Sequence, residues 1–353
     1  MNQRLVAACA AVPLVLGLVA AAALMPLPFV VYAPGYTVDV LGTDANDAEI
    51  IQVEGHKVYR DDGQLRMTTV LVTAPQTDKS LFDLMAAWVD PDDAVYPYDV
   101  VHGDVRTDEE NRIEGEVQMV TSQDAAIAVA QKELGYEVPQ LPGVAHVNEG
   151  APADGKLLAR DLFLQIGGRK VTTDEEVVAA VKASKPGEPL DLVVLRDHRR
   201  TEVTVTPERG DDGKSSIGIY IGTGFRFPFD VTVQIDPSIG GPSAGLMFSL
   251  AIYDTLTPGS LTDGRIIAGT GEIDAEGRVG AIGGIQQKVV AARDAGAELF
   301  LVPPPNCPDA MKADNGDMRL VLAETMHSAR LALEEWAEDP DADLPSCSDV
   351  EAS

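Results

Sequence analysis

Residues 229–245 read FDVTVQIDPSIGGPSAG, and the run 246–256, LMFSLAIYDTL, follows them without Gly or Pro. Phe229, Val231, Val233 and Ile235 alternate with polar residues, the period of a half-buried strand. The next run predicts a helix, so Ser243 falls at a strand-to-helix junction. The unpaired N–H groups of a helix start, with the positive end of its dipole, can hold an oxyanion. Gly240 and Gly241 lack Cβ, so a substrate backbone can approach closely there, and Gly240, Gly241 and Ser243 are the expected oxyanion and substrate-backbone positions. Further on, GGIQQK (283–288) opens a second helix with Lys288 just inside it.

A serine hydroxyl is a weak nucleophile until a neighbour takes its proton, and an ordinary lysine is protonated at pH 7. Burial disfavours the charged amine and makes it a usable base. Val289, Val290, Ala291 and Ala292 offer Lys288 such an apolar setting. On residue types alone, Ser243 is equally a helix cap and Lys288 a solvated helix residue.

The order of GPSAG (241–245), Thr270-Gly271-Glu272, Gly277, Gly280, Ile282-Gly283-Gly284, Lys288 and the stretch Gly296 to Pro303 resembles the proteolytic domain of the Lon family. The resemblance covers roughly 216–337, about a third of the chain. It implies an α/β (α+β) domain with Ser243 as nucleophile, Lys288 as general base and Thr270 beside the lysine. Gly240 stands where most family members carry Asp, which removes any side-chain role there. Residues 136–207 resemble a β-rich PDZ domain. In that resemblance Leu141, Pro142, Gly143 and Val144 are the peptide-binding carboxylate loop, and Arg160-Asp161 replaces the usual Gly-Asp. Such domains add a peptide as a strand to a sheet edge, often gripping its C-terminal carboxylate. The combination is similar to the membrane-anchored, PDZ-containing Lon-like proteases of the YlbL type, and it implies protein or peptide substrates and a homo-oligomer, by resemblance a hexamer.

Residues 5–31 are almost wholly apolar and long enough for a bilayer core of about 20 residues. With Arg4 flanking, they predict a single-pass transmembrane helix with the catalytic part outside the cytoplasm; a cleaved signal peptide is the alternative. Residues 33–135 are expected to flank the catalytic domain, 208–215 to link it to the PDZ domain, and 338–353 to form a loose acidic tail. Within 33–135, helices are expected over 80–89 and 122–134 and a polar turn over 107–112. The net charge of −29 and the absence of a basic stripe argue against a nucleic-acid partner. Cys307 and Cys347 are candidates for a disulfide in an oxidising compartment, and no Cys or His has metal-ligand spacing, so neither metal nor cofactor is expected. Gly213-Lys214-Ser215 lacks the upstream glycine of a nucleotide loop, which predicts activity without ATP.

Two rival functions follow. Gly241-Pro242-Ser243-Ala244-Gly245 also fits the nucleophile elbow of an α/β-hydrolase, for which His327 is the one downstream histidine; the loop from Asp236 to Pro242 is too long for an elbow. The other rival is a catalytically inert, membrane-tethered PDZ scaffold. The expected function is a membrane-anchored, ATP-independent serine endopeptidase.

Overall fold

The computed structural model describes residues 3–350 except 45, 75, 76, 78, 103–107, 211 and 237. A six-stranded sheet carries the catalytic half. From one edge its strands are Arg319–Leu322, Leu299–Val302, Ile266–Gly269, Gln64–Val72, Phe29–Asp39 and Ala94–Pro97. The first four run parallel and the last two pair antiparallel. Ile266–Gly269 and Leu299–Val302 read as unbroken apolar runs because both faces are covered: Leu299, Phe300, Leu301 and Val302 are all fully buried.

Alternate residues of these strands serve two cores. Leu299, Leu301 and Ile267 face the helix Gly245–Leu256, here the nucleophile helix, together with Met326–Glu338. Phe300, Val302 and Ala268 face the helix Ile285–Asp294, here the lysine helix, and Cys307–Ala310. Residues 33–135, whose fold the sequence leaves unreadable, therefore supply strands to the catalytic sheet itself. Conversely, the strand expected from Phe229 to Ile235 shortens to Val231–Val233, paired with Ile51–Val53.

The helix expected at 122–134 starts much earlier: Asp108–Glu133 forms one long helix, so Asp108 to Arg112 are helical instead of a polar turn, and Thr107 lies outside the described residues. Its Ala126, Ile127 and Ala130 are buried against the nucleophile helix, and that packing overrides the polar composition of the first turns.

The PDZ region folds around a second core of Phe163, Val177, Leu192 and Val194. Its helix Asp174–Ala183 is capped by Thr173, whose side chain accepts from Glu176 N–H. Its main sheet runs Ile219–Phe225, Gln140–Val147, Leu162–Ile166, Leu190–Arg196, Arg199–Val205. Ile219–Phe225, placed by the sequence in the protease domain, thus belongs to the PDZ sheet. The chain enters and leaves this unit at neighbouring residues, with Arg226 N–H donating to Pro139 O at 2.9 Å.

The N-terminal segment forms a helix, Gln3–Leu24. Its side chains are described from Ala10 onward, fewer residues than a bilayer core takes, and among the described residues no helix is long and apolar enough to cross a membrane. The C-terminal segment is packed, contrary to the expected loose tail. Leu322 N–H donates to Pro345 O at 2.8 Å, and Leu344 and Cys347 are buried.

Candidate active site

The nucleophile and lysine helices lie on opposite faces of the sheet and meet over the carboxyl end of Ile266–Gly269, where Thr270 follows. Ser243 precedes the nucleophile helix, whose N-cap is Ala244. Gly245 admits no side chain, since a Cβ there would come 2.8 Å from Ile273 Cγ2 and 2.9 Å from Ser122 Oγ. Gly271 N–H donates to Ser243 O at 2.8 Å, and Leu246 N–H donates to Gly271 O at 3.1 Å, which ties the loop to the strand end. The lysine helix is capped by Gly284 at φ +66°, where a Cβ would also press to 2.8 Å from Val70 Cγ2.

Lys288 Nζ lies 2.7 Å from Ser243 Oγ and 3.0 Å from Thr270 Oγ1. Thr270 gives its one hydroxyl proton to Ser243 O, at 2.9 Å. It can therefore only accept from Lys288, which leaves the lone pair of a neutral amine free to face the serine hydroxyl. Lys288 is 3% exposed and Thr270 1%. Burial pulls the Lys288 amine down to about 7, against the opposing pull of the Glu272 carboxylate. Glu272 is itself raised by burial, less so for facing Lys288.

The expected backbone donors divide. Pro242 has no N–H, and Gly241 N–H points to Gly115 O of the long helix at 3.5 Å. The N–H groups of Gly240, Ser243 and Ala244 meet no acceptor among the described residues. Ser243 and Ala244 stand at the helix start, and Ala244 is a donor the sequence reading missed. Around these groups lies a cleft of about 520 Å³, lined among others by Tyr32, Thr69, Leu71, Ile239 and Glu272. Its lining is mixed, with Met67, Val70 and Met119 beside Thr68, Ser238 and Lys288.

Other predicted positions fall as follows. Leu141, Pro142, Gly143 and Val144 do not form a loop: they lie in the strand Gln140–Val147, with Thr223 opposite Pro142 and Gly222 opposite Gly143. Their neighbour Ile219–Phe225 covers that edge, so the outer strands of the sheet are Ile219–Phe225 and Arg199–Val205. Cys307 and Cys347 are joined, with an S–S distance of 2.08 Å. His327 is remote in role from Ser243: its Nδ1 lies 2.6 Å from Glu133 Oε1, a carboxylate that Arg330 also binds. Ser122 was missed outright; its Oγ donates to Pro242 O at 2.9 Å from more than a hundred residues away, a contact with no local sequence signal.

Comparison with known proteins agrees with this geometry. Residues 237–328 match the Lon protease (S16) C-terminal proteolytic domain, and residues 117–206 match the PDZ domain. The Lon protease of Desulfosudis oleivorans is 27% identical over 211 residues, 53% of this chain and 25% of the relative. That of Methylocella silvestris is 32% identical over 170 residues, 47% of this chain and 18% of the relative. The chain thus spans about a quarter or less of the length of these relatives. Among solved structures, the PDZ domain of an SdrC-like protein from Listeria innocua aligns over 22% of this chain and 90% of that one, at 25% identity and a TM-score of 0.21. The chain thus carries a region similar to the PDZ domain and a region similar to the Lon-type (S16) proteolytic domain.

Proposed function

We propose that the chain is a serine endopeptidase that uses Ser243 and Lys288 as a catalytic pair, works without ATP, and takes unfolded or extended segments. The 2.7 Å approach of a buried amine to the serine hydroxyl carries this reading. In the reaction, neutral Lys288 accepts the Ser243 proton as Oγ attacks the scissile carbonyl. The Ser243 and Ala244 N–H groups stabilise the oxyanion, where one donor is typically worth a factor of about 10²–10³ in rate. Lys288 then returns the proton to the leaving amine, and it activates water against the acyl-enzyme in the second half. Thr270 holds the amine's lone pair on line with Oγ.

The same reading includes recruitment of substrate by strand addition at Ile219–Phe225, and anchoring in a membrane by the helix Gln3–Leu24 with the catalytic part outside the cytoplasm. It also includes a hexameric assembly, as the Lon resemblance implies. The Cys307–Cys347 bridge supports an oxidising compartment.

The test is cleavage of casein and labelling by a fluorophosphonate, without ATP, by the parent chain and by Ser243→Ala, Lys288→Ala and His327→Ala. Loss in the first two with retention in the third is expected. A parent chain that neither labels nor cleaves, in any oligomeric state, transfers the reading to the inert PDZ scaffold.

A further inference from the structure

Four consecutive residues of the long helix touch two different domains. Thr121 faces the PDZ sheet: a Cβ on Gly222 would come within 3.7 Å of its Oγ1. Ser122, 4% exposed, donates to Pro242 O at 2.9 Å, one residue before the nucleophile. Gln123 Oε1 accepts from Arg160 Nη2 at 3.5 Å. Asp124, a buried carboxylate, has Arg160 Nε 2.9 Å from its Oδ1. Arg160 belongs to the PDZ domain and holds φ +69°, a left-handed conformation that favours glycine. An arginine at such a position keeps a contact that glycine could not make.

We propose that Arg160, Asp124 and Ser122 are positioning residues for the nucleophile: the PDZ domain sets the long helix through the Arg160–Asp124 contact, and the helix sets the Ser243 loop through the Pro242 carbonyl. This rests on Ser243 being the nucleophile. The chemistry is suited to the task. Pro242 cannot donate, so its carbonyl is the loop's one polar handle at that residue, and Ser122 grips it. The handle is close to the reacting atoms, and small misplacement of a nucleophile costs rate steeply. Ser122 Oγ and Ile273 both crowd the face of Gly245, where a Cβ would come within 2.9 Å of each, so the long helix sits close against the start of the nucleophile helix. Burial lifts the Asp124 carboxyl to about 6 while Arg160 draws it down, so the arginine decides how the pair is held near neutrality. A peptide added to Ile219–Phe225 would lie on the strand that Thr121 packs against, which gives the PDZ domain a route to the rate as well as to the affinity.

The full chain in detergent is assayed on an internally quenched peptide that ends in an amide and so offers no carboxylate. Readouts are kcat, KM, the rate of fluorophosphonate labelling, and Tm, with rates taken well below the lowest Tm. Ser122→Ala removes the grip on Pro242. The pair Arg160→Gly with Asp124→Asn removes the contact, strands no buried charge, and gives the turn its relaxed residue, so the fold is retained. Each is expected to lower kcat and labelling by about tenfold, with KM within about twofold. The triple variant should fall no further than the weaker of the two, because both act on one element. Arg160→Lys, which keeps the cation, should recover part of the rate. Parental kcat and labelling in both variants, or a triple variant whose loss is the product of the two, overturns the proposal. A Ser243→Ala chain that still cleaves at the parental rate overturns the catalytic reading instead, so the two failures are distinct.

Discussion

The catalytic sheet has two halves of different origin. One, Ile266–Gly269 to Arg319–Leu322, is built from consecutive strands and helices and carries Thr270 and Lys288. The other, Phe29–Asp39, Gln64–Val72 and Ala94–Pro97, is drawn from the far end of the chain and lines the cleft with Tyr32, Thr69 and Leu71. Chemistry sits where neighbours in sequence are neighbours in space. One wall of the cleft sits on the half that arrives by long-range pairing. The two halves join where Ile266–Gly269 pairs with Gln64–Val72, and beside that seam Gly284 leaves no room for a Cβ against Val70. The difference predicts that the first half sets kcat and the second KM, while the seam between them sets stability.

Replacing the catalytic groups tests the first claim hardest. Ser243→Ala and Lys288→Met are each expected to lower kcat by about 10³-fold or more in a peptide-cleavage assay. Lys288→Met should also raise Tm. Between about pH 7 and the ordinary 10.5, the unfolded chain holds a proton on this amine that the folded chain lacks. Stability from this group therefore rises with pH across that window, and the penalty is largest at and below pH 7. A calorimetric pH series in which the variant melts no higher than the parent would show that burial is not what lowers the amine.

The activity of the parent should follow the same group, with kcat/KM falling as pH drops through about 7, because protonated Lys288 cannot accept the serine proton. Thr270→Val should cost about 10–10²-fold in kcat, with KM nearly constant, through loss of the partner that aims the lone pair. At the seam, Gly284→Ala is expected to lower stability by about 1–3 kcal/mol, from the left-handed backbone and the clash with Val70. Val70→Ala in the same chain should return only the steric part, as read by denaturant unfolding. The smallest effect belongs to the distant half: Leu71→Ser should raise KM roughly three- to tenfold and leave kcat near the parental value. A kcat effect there as large as that of Thr270→Val would erase the distinction between the halves.

The same contrast explains what was legible in the sequence. The nucleophile helix, the lysine helix and Gly284 announce themselves by local pattern: an unbroken apolar run, and a glycine pair opening a helix. Ser243, Thr270 and Lys288 were readable because their motifs are local too, and the fold brings them within 3.0 Å. Pairing of Gln64–Val72 with Ile266–Gly269 joins strands some two hundred residues apart, and nothing in either strand names the other. Ile219–Phe225 pairs with Gln140–Val147, and that partner, not any local signal, decides its domain. Leu141 to Val144, expected as a loop from the PDZ resemblance, lie in a strand instead, because Ile219–Phe225 pairs with them. Ser122 binds the backbone carbonyl of another residue and Ala244 offers its own N–H, roles that residue type does not advertise.

One contact, Arg226 N–H to Pro139 O, gives the chain an unusual editability. Because the PDZ unit begins and ends at hydrogen-bonded neighbours, it is an insertion in the genetic sense: a segment that can be spliced out, or exchanged for another with adjacent termini, by a short turn across one point. The catalytic sheet takes no strand from it. A new recognition module grafted there would inherit the place beside the long helix, and with it whatever hold that place has on the serine.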